Sequence, residues 1–458
     1  MPETPGEEPF SRAYRAKLLG LLFLVALFNF ADRNMFAILA QPIKKDLLLS
    51  DTQLGLLGGL AFGVVYAITG LPIARIADRR SRVAIIAIAT AVWSFFSATC
   101  GLAHAFWQLA LSRAGVGVGE AAFLPASTSL LGDHYPRSRR ASALSIVQLG
   151  SPVSTIVGAT IAAWVAQQYG WRAAFLTIGL PGMVVALAVW LFLREPERGR
   201  YDPVPVATDA VPSWGRTIVG LISKPAFLCV AMGGAMAMFG INAIATFYMA
   251  YFVRIHHWTL SQAGFAFGII QCSSATIGIL LGGFGADLLA KRDERWRCWL
   301  PAIALTLSTA AYIAAFLQTQ PLAAAALILI GGLTLFIYFV PTLGMIQSMA
   351  PPNARATAIA IQSFGSTLIG GGLGPLTAGF ISDMFASRHF PFGAFKAMCP
   401  GGEPIAGASA AVGDACRAAS AMGLRWALVF TPLAILVAVG FYLLGARTLR
   451  RDMVAAPL

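Results

Sequence analysis

Twelve apolar runs, each long enough to cross a bilayer as a helix, leave this chain few folds to choose from. They fall at about 17–40, 54–77, 83–102, 106–132, 139–165, 171–193, 225–253, 260–290, 297–318, 322–348, 354–385 and 423–447. A helix needs about 20 apolar residues to span a hydrocarbon core about 30 Å thick. Inside that core every backbone N–H and C=O must find its partner within the protein. The expectation is an all-α membrane protein. Of 458 residues, 57% are hydrophobic and 12% charged, which overrules the soluble multidomain organisation that such a length otherwise suggests. No cleavable signal peptide is expected, because residues 1–11 are acidic and proline-rich and the first apolar run outlasts an h-region.

The stretch at 194–222 is rich in Pro, Asp and Arg and reads as a linker. It divides the chain into an amino-terminal tail (1–16), a six-helix bundle (17–193), a second six-helix bundle (223–447) with an outer loop at 386–422, and a tail at 448–458. The formal charge of +13 invites a nucleic-acid partner, but the basic residues sit in short loops between apolar runs and act as topology signals instead. Of the 33 Lys and Arg, 23 lie on the side of the termini and 8 on the other, with Arg33 and Arg113 inside spans. Excess positive charge faces the cytoplasm. Both termini and the linker are therefore expected there, in a bacterial inner membrane.

The halves repeat one another. Gln53, Gly55 and Asp78 recur as Gln262, Gly264 and Asp287 at an offset of 209. Pro136, Arg140, Ala141, Gly150 and Ser151 recur as Pro351, Arg355, Ala356, Gly365 and Ser366 at an offset of 215. Internal repeats are the construction of secondary transporters, whose site lies between the halves near the bilayer midplane. Two pseudo-symmetric six-helix bundles are the expected architecture.

The run at 106–132 carries Arg113 and Glu120, with Gly115, Gly117 and Gly119 between them. Ionisable groups at membrane depth usually face a bundle interior or a water-filled path. Seven residues are two helical turns, so both side chains leave one face, and the glycines let a neighbouring helix come close. Helix 1 adds Asn29, Asp32 and Arg33. At 1.5 Å per residue, Arg33 and Arg113 should sit at similar depth, about 10 Å below the outer surface, with Glu120 about 10 Å deeper. The second half has no matching carboxylate and offers Asn242, Tyr248, Gln271, Tyr338, Gln362 and Ser363 amid Phe, Ala and Gly. A charged wall facing an apolar one suits an amphipathic ligand. The alternative for the charges is a fixed ion pair that sets helix register, and for the polar residues simple interhelical hydrogen bonding.

The end of helix 2 reads GLPIARIADRRSRV, and its Asp78, Arg79 and Arg82 resemble the loop signature of the major facilitator superfamily, with Ala74 and Ser81 where that signature has Gly. In the second half Gly283, Asp287, Lys291 and Arg292 echo it. With Arg140 and Arg355 these residues are candidates for a charge-paired latch between helix ends; topology determination is the other reading. Asn29-Phe-Ala-Asp32-Arg33 and Arg113-Ala-Gly-Val-Gly-Val-Gly-Glu120-Ala look like the N-x-x-D-R and R-x-x-x-G-x-G-E-A patterns of the spinster-like branch. The resemblance implies the major facilitator fold and proton-linked transport of lysophospholipid-like or sphingoid lipids.

Burial favours a protonated carboxylate and a nearby guanidinium an ionised one, so a moving cavity can load and unload a proton. Glu120, and secondly Asp32, are the candidates for proton coupling. Arg33 and Arg113 are candidates for an anionic head group, since the guanidinium fork suits phosphate. Asn29, Asn242, Tyr248, Gln271, Tyr338 and Gln362 are the further substrate-binding candidates. No cofactor is expected beyond the proton gradient. The expected partners are a small amphipathic substrate, the proton and membrane lipids, with the protein working as a monomer.

Gly150-Ser-Pro152 and the run from Gly370 to Pro375 offer bending points within spans or sites of close packing. His256 and His257, beside Trp258, look interfacial. Cys399 and Cys416 share the long outer segment and can pair as a disulfide in an oxidising compartment, or remain free thiols. An ATP-driven pump is disfavoured, as no G-x-x-x-x-G-K-[ST] loop occurs. The competing readings are a proton-coupled multidrug or organic-anion transporter and, more remotely, a membrane-embedded enzyme or a non-transporting sensor.

Overall fold

The computed structural model describes residues 10–77, 80–135, 137–197, 214–350 and 355–453, and among them every regular element is helical. In chain order the crossings are α1 (Arg12–Asp46), α2 (Asp51–Gly58 and Leu60–Ala77) and α3 (Arg82–Cys100). There follow α4 (Phe106–Glu120 and Phe123–His134), α5 (Arg137–Gln148 through Ala159–Tyr169) and α6 (Trp171–Phe192). The second half holds α7 (Pro225–Ile255), α8 (Leu260–Ala290) and α9 (Trp296–Leu317). It ends with α10 (Pro321–Phe336 and Phe339–Ser348), α11 (Arg355–Gly365 through Gly374–His389) and α12 (Ala410–Phe430 and Leu433–Asp452).

Among the described residues, eleven helices are long and apolar enough to span a membrane. The twelfth crossing, α4, is broken into two shorter pieces, contrary to the continuous span expected over 106–132. Proline has no N–H for the carbonyl four residues back, and its ring crowds that carbonyl. Pro125 follows Ala121 by four, at the break of α4, and Pro341 follows Ile337 by four, at the break of α10. The two prolines are 216 residues apart, so the interruption is itself part of the internal repeat.

The sequence repeats acquire physical causes. Gln53 and Gln262 are the third residues of capping boxes: Ser50 and Thr259 accept from their backbone N–H groups, while the glutamine side chains accept from the Ser50 and Thr259 N–H groups. Such boxes satisfy donors that a helix start leaves orphaned. Gly55 and Gly264 sit where helices of opposite halves meet; a Cβ would lie 2.2 Å from the Pro375 carbonyl oxygen at the first and 2.5 Å from the Ala163 Cβ at the second. The Gly-Ser pairs at 150–151 and 365–366 lead into π-helical segments, Ser154–Gly158 in α5 and Ser366–Leu373 in α11. Each π segment packs on a helix of the other half, at α8 and α2 respectively.

Several boundaries differ from expectation. Residues 214–222 of the linker form a short helix, Trp214–Ile222. The outer segment is shorter than 386–422, because α11 runs to His389 and α12 starts at Ala410, under a Ser409 cap. Cys399 and Cys416 are joined as a disulfide across what remains. The carboxy-terminal tail is shortened likewise by α12, which continues to Asp452.

Large apolar side chains such as Phe284, Leu322 and Leu191 face outward, while Trp93, Phe36, Phe247 and Tyr442 fill the interior. Lipid tails are as apolar as leucine, so helix association here depends on close packing and on polar contacts rather than on hydrophobic drive. That makes the few buried polar groups the features that position the site.

Candidate transport site

A cavity of about 230 Å³ lies between the halves, lined on one side by Arg33, Asn34, Phe62, Tyr66 and Arg113 and on the other by Met238, Asn242, Ser366 and Thr367. Asp32 and Arg33 are neighbours on α1, so their side chains leave the helix about 100° apart. Asp32 turns toward α3, where it accepts from the Ser97 hydroxyl at 2.5 Å. Arg33 turns toward α4 and donates from Nε to Glu120 Oε2 at 2.6 Å. The two residues therefore do not form the static pair that adjacency suggests.

The depth expectation is corrected as well. Because α1 continues to Asp46, Arg33 stands 13 residues from its end, or about 20 Å at 1.5 Å per residue. Glu120, 14 residues into α4, is at the same level, whereas Arg113 is nearer the end.

Glu120 and Asp32 are fully buried, and each keeps one carboxylate oxygen, Oε1 and Oδ2, without a partner that donates to it. Arg113 is buried against the faces of Phe36 and Phe62, and its Nε and Nη1 make no hydrogen bond. Arg33 stacks over Tyr66, with 4.7 Å from its guanidinium carbon to the ring centre. The glycines of α4 do what close packing asks of them: at Gly117 a Cβ would lie 2.8 Å from the Phe62 carbonyl oxygen, and that contact seats the α2 aromatics at the cavity.

Of the substrate-binding candidates, Arg33, Arg113 and Asn242 line this cavity. Gln362 donates to the lining residue Ser366 at 2.9 Å, and the Tyr338 hydroxyl reaches Met238 Sδ at 3.9 Å. Asn29 and Tyr248 are buried outside the lining, each with an unsatisfied polar atom, and Gln271 makes no side-chain hydrogen bond among the described residues. Asn34, Phe62, Tyr66, Ser366 and Thr367 were missed by sequence reasoning; the motif-bearing helices 1 and 4 point to their neighbours only once the packing is known.

A second polar cluster closes the path at the end away from the termini. Asp51 of α2 receives Lys44 Nζ at 2.7 Å, both terminal nitrogens of Arg254 at 2.8 and 2.9 Å, and the Ser382 hydroxyl at 2.6 Å. Arg254 also meets Gln41. Asp383 of α11 accepts the backbone N–H groups of Asp51 and Thr52, both at 2.9 Å, and the Thr52 hydroxyl at 2.6 Å. Nearby Lys45 pairs with Glu403 at 2.7 Å, and Ser261 N donates to Gln167. Among the described residues, the polar contacts that join the halves all lie at this end. The sequence reading did not single out any of these residues.

At the opposite end, the ion pairs seen among the described residues lie within one half or the other. Arg82 is buried, pairs with Asp133, and donates to Glu195 Oε1 at 2.7 Å. Burial alone would raise the Glu195 pKa, but the Val83 N–H, Arg82 and Ser81 together hold it below the ordinary glutamate value. Asp78 and Arg79 lie outside the described residues, as does the Arg355 side chain. Arg140 donates to the Tyr135 carbonyl. Asp287, Lys291 and Arg292 are exposed and form no ion pair among the described residues, so the second-half latch is not drawn together here. Instead Arg450 pairs with Asp293 at 2.9 Å, and Asp452 caps α7 at Ala226.

The sequence pattern of the major facilitator superfamily matches residues 22–375. The chain belongs to the major facilitator superfamily. A protein named MFS-type efflux pump from Mycolicibacterium smegmatis is 31% identical over 372 residues, covering 81% of this chain and 85% of that protein. The sphingosine-1-phosphate transporter SPNS2 of Danio rerio is 25% identical over 391 residues, 81% of this chain and 76% of that one. A crystal structure of a bacterial homolog to the human lysosomal transporter spinster, in an inward-facing and unoccupied conformation, superposes with a TM-score of 0.88 at 32% identity, covering 98% of this chain and all of that one. This major facilitator is thus a transporter of spinster type, not an enzyme.

Proposed function

We propose that the protein is a proton-coupled secondary transporter of an anionic amphipathic lipid of the lysophospholipid or sphingoid class, working by alternating access. The observation that carries this reading is the group Arg33, Glu120, Asp32 and Arg113 at one cavity. Each of the two buried carboxyls keeps one oxygen without a donor, which supports a proton being taken up there, and one guanidinium is bonded to a carboxylate while the other has donors to spare. A proton arriving on Glu120 weakens its hold on Arg33, which then turns to an anionic head group. The head group meets the charged wall, and the chain lies along Phe62, Met238 and the glycine-rich face of α11. Relatives named as transporters of sphingosine-1-phosphate support the lipid class.

The distribution of Lys and Arg supports cytoplasmic termini in a bacterial inner membrane. On that orientation the closed end is external and the conformation faces the cytoplasm, like the spinster homolog it superposes on.

The test is uptake of a labelled lysophospholipid into proteoliposomes with and without an imposed pH gradient, comparing the native chain with Glu120→Gln and Asp32→Asn. Gradient-driven uptake should be lost in both variants, with each still folded. Unchanged uptake in Glu120→Gln removes the proton role from that residue. The relative named as an efflux pump supports a second reading, a multidrug or organic-anion carrier. Gradient-driven movement of a compact organic anion with none of the lipid would favour it.

A further inference from the structure

Asp383 does not behave like the other charged groups at the closed end. Lys44, Asp51 and Arg254 meet side chain to side chain, but Asp383 accepts two backbone N–H groups, those of Asp51 and Thr52, at the start of α2. These are the first helical residues, whose N–H groups have no partner within their own helix. Ser50 caps Gln53 from within the same half, so the start of α2 is capped twice: once in its own chain segment, and once by a carboxylate 332 residues away in the opposite half. The carboxylate also complements the positive end of the helix.

The backbone geometry makes this reach possible. Gly379, one turn before Asp383 on α11, lets the two helices touch main chain to main chain; a Cβ there would lie 2.0 Å from the Asp51 carbonyl oxygen. Asp383 itself is buried, and its two oxygens are committed to α2, so the cap exists only while the halves are together at this end. Separating them strips two donors and a buried carboxylate at once.

We propose that Asp383 is the positioning residue that sets how far the equilibrium favours closure of this end, by supplying to α2 a helix cap from the other half. It deepens the alternating-access reading above, on which it rests. The ion pairs fix which side chains meet; the cap ties the main chain of one half to a side chain of the other.

The test is a distance measurement by pulsed electron spin resonance between labels on Trp107→Cys and Arg388→Cys, exposed positions near this end on opposite halves. The background has the free cysteines Cys100, Cys229, Cys272 and Cys298 replaced and keeps the disulfide. No substrate or gradient is present, so the result stands apart from whether lipid or protons are carried. Asp383→Ala should raise the ratio of wide to narrow distances on the order of tenfold, the scale of losing a good cap. Asp383→Asn, which keeps one acceptor, should fall between, and Thr52→Val, which removes only the hydroxyl bond, should stay near the native distribution. Thermal unfolding is followed alongside, since a merely structural role lowers stability without widening the distances. A native distribution in both Asp383 variants overturns the proposal, and so does a Thr52→Val as wide as Asp383→Ala, which would assign the effect to the side-chain bond alone.

Discussion

Arg33 has one carboxylate beside it in sequence and another across from it on α4, and bonds the second. Its neighbour Asp32 is carried around the helix to Ser97, leaving Glu120 as the partner and Tyr66 as the platform beneath the guanidinium. The arrangement uses properties that lysine lacks: a planar group that stacks on an aromatic face and an Nε that donates sideways to a carboxylate. Arg33→Lys keeps the charge and loses both. Charge-assisted hydrogen bonds contribute about 1.5–3 kcal/mol, so transport should fall by about one to two orders of magnitude. Initial rates of lipid uptake in proteoliposomes check this; native rates in Arg33→Lys would mean that a point charge is enough. Arg113 has the complementary character, buried between Phe36 and Phe62 with two nitrogens unused. Those two donors are what the proposed anionic head group would engage.

At the scale of elements, the spans were legible because membrane length and apolarity are properties of a contiguous stretch. The breaks at Ala121 and Ile337 were not read from the sequence: the spans containing them are continuous by hydropathy, and Pro125 and Pro341 account for the interruptions only once the helices are seen. Capping boxes at Ser50 and Thr259 explain why Gln53 and Gln262 stood out as a repeat. The closing cluster was not legible. Lys44, Asp51, Arg254 and Asp383 lie at span ends, where charges are ordinarily solvated, and only packing brings together residues more than 200 positions apart. The same holds for Glu195, just past α6, which secures the start of α3 through Arg82, Ser81 and the Val83 N–H. Its pKa is held below the ordinary value, so its contribution is complete above the unfolded glutamate pKa and is lost as pH falls through the lower folded value. The melting-temperature gap between the native chain and Glu195→Gln in detergent should therefore be full near neutral pH and close as the solution is acidified below the ordinary glutamate pKa. A gap that holds constant through that range would mean that Glu195 titrates no differently in the folded protein.

For the whole molecule the placement of polar contacts decides the conformation. A cluster balanced between two acids and two bases, Asp51, Asp383, Lys44 and Arg254, joins the halves away from the termini, while Arg82 with Asp133 and Glu195, and Arg450 with Asp293, each hold one half together at the other end. With little hydrophobic drive between helices in lipid, such contacts weigh heavily in choosing which end opens. Thr367 lines the cavity on the α11 side and reports on access to it. With the termini in the cytoplasm as proposed, a Thr367→Cys variant in the background without free cysteines, treated with a membrane-impermeant maleimide, should react faster in inside-out than in right-side-out vesicles, by a factor on the order of ten for each 1.4 kcal/mol that favours closure of the end away from the termini. Adding Asp383→Ala should shrink that ratio, mainly by raising the right-side-out rate. Equal rates in both vesicle types for the single variant would mean that the buried cluster does not seal the path, and a reversed ratio would place the termini outside.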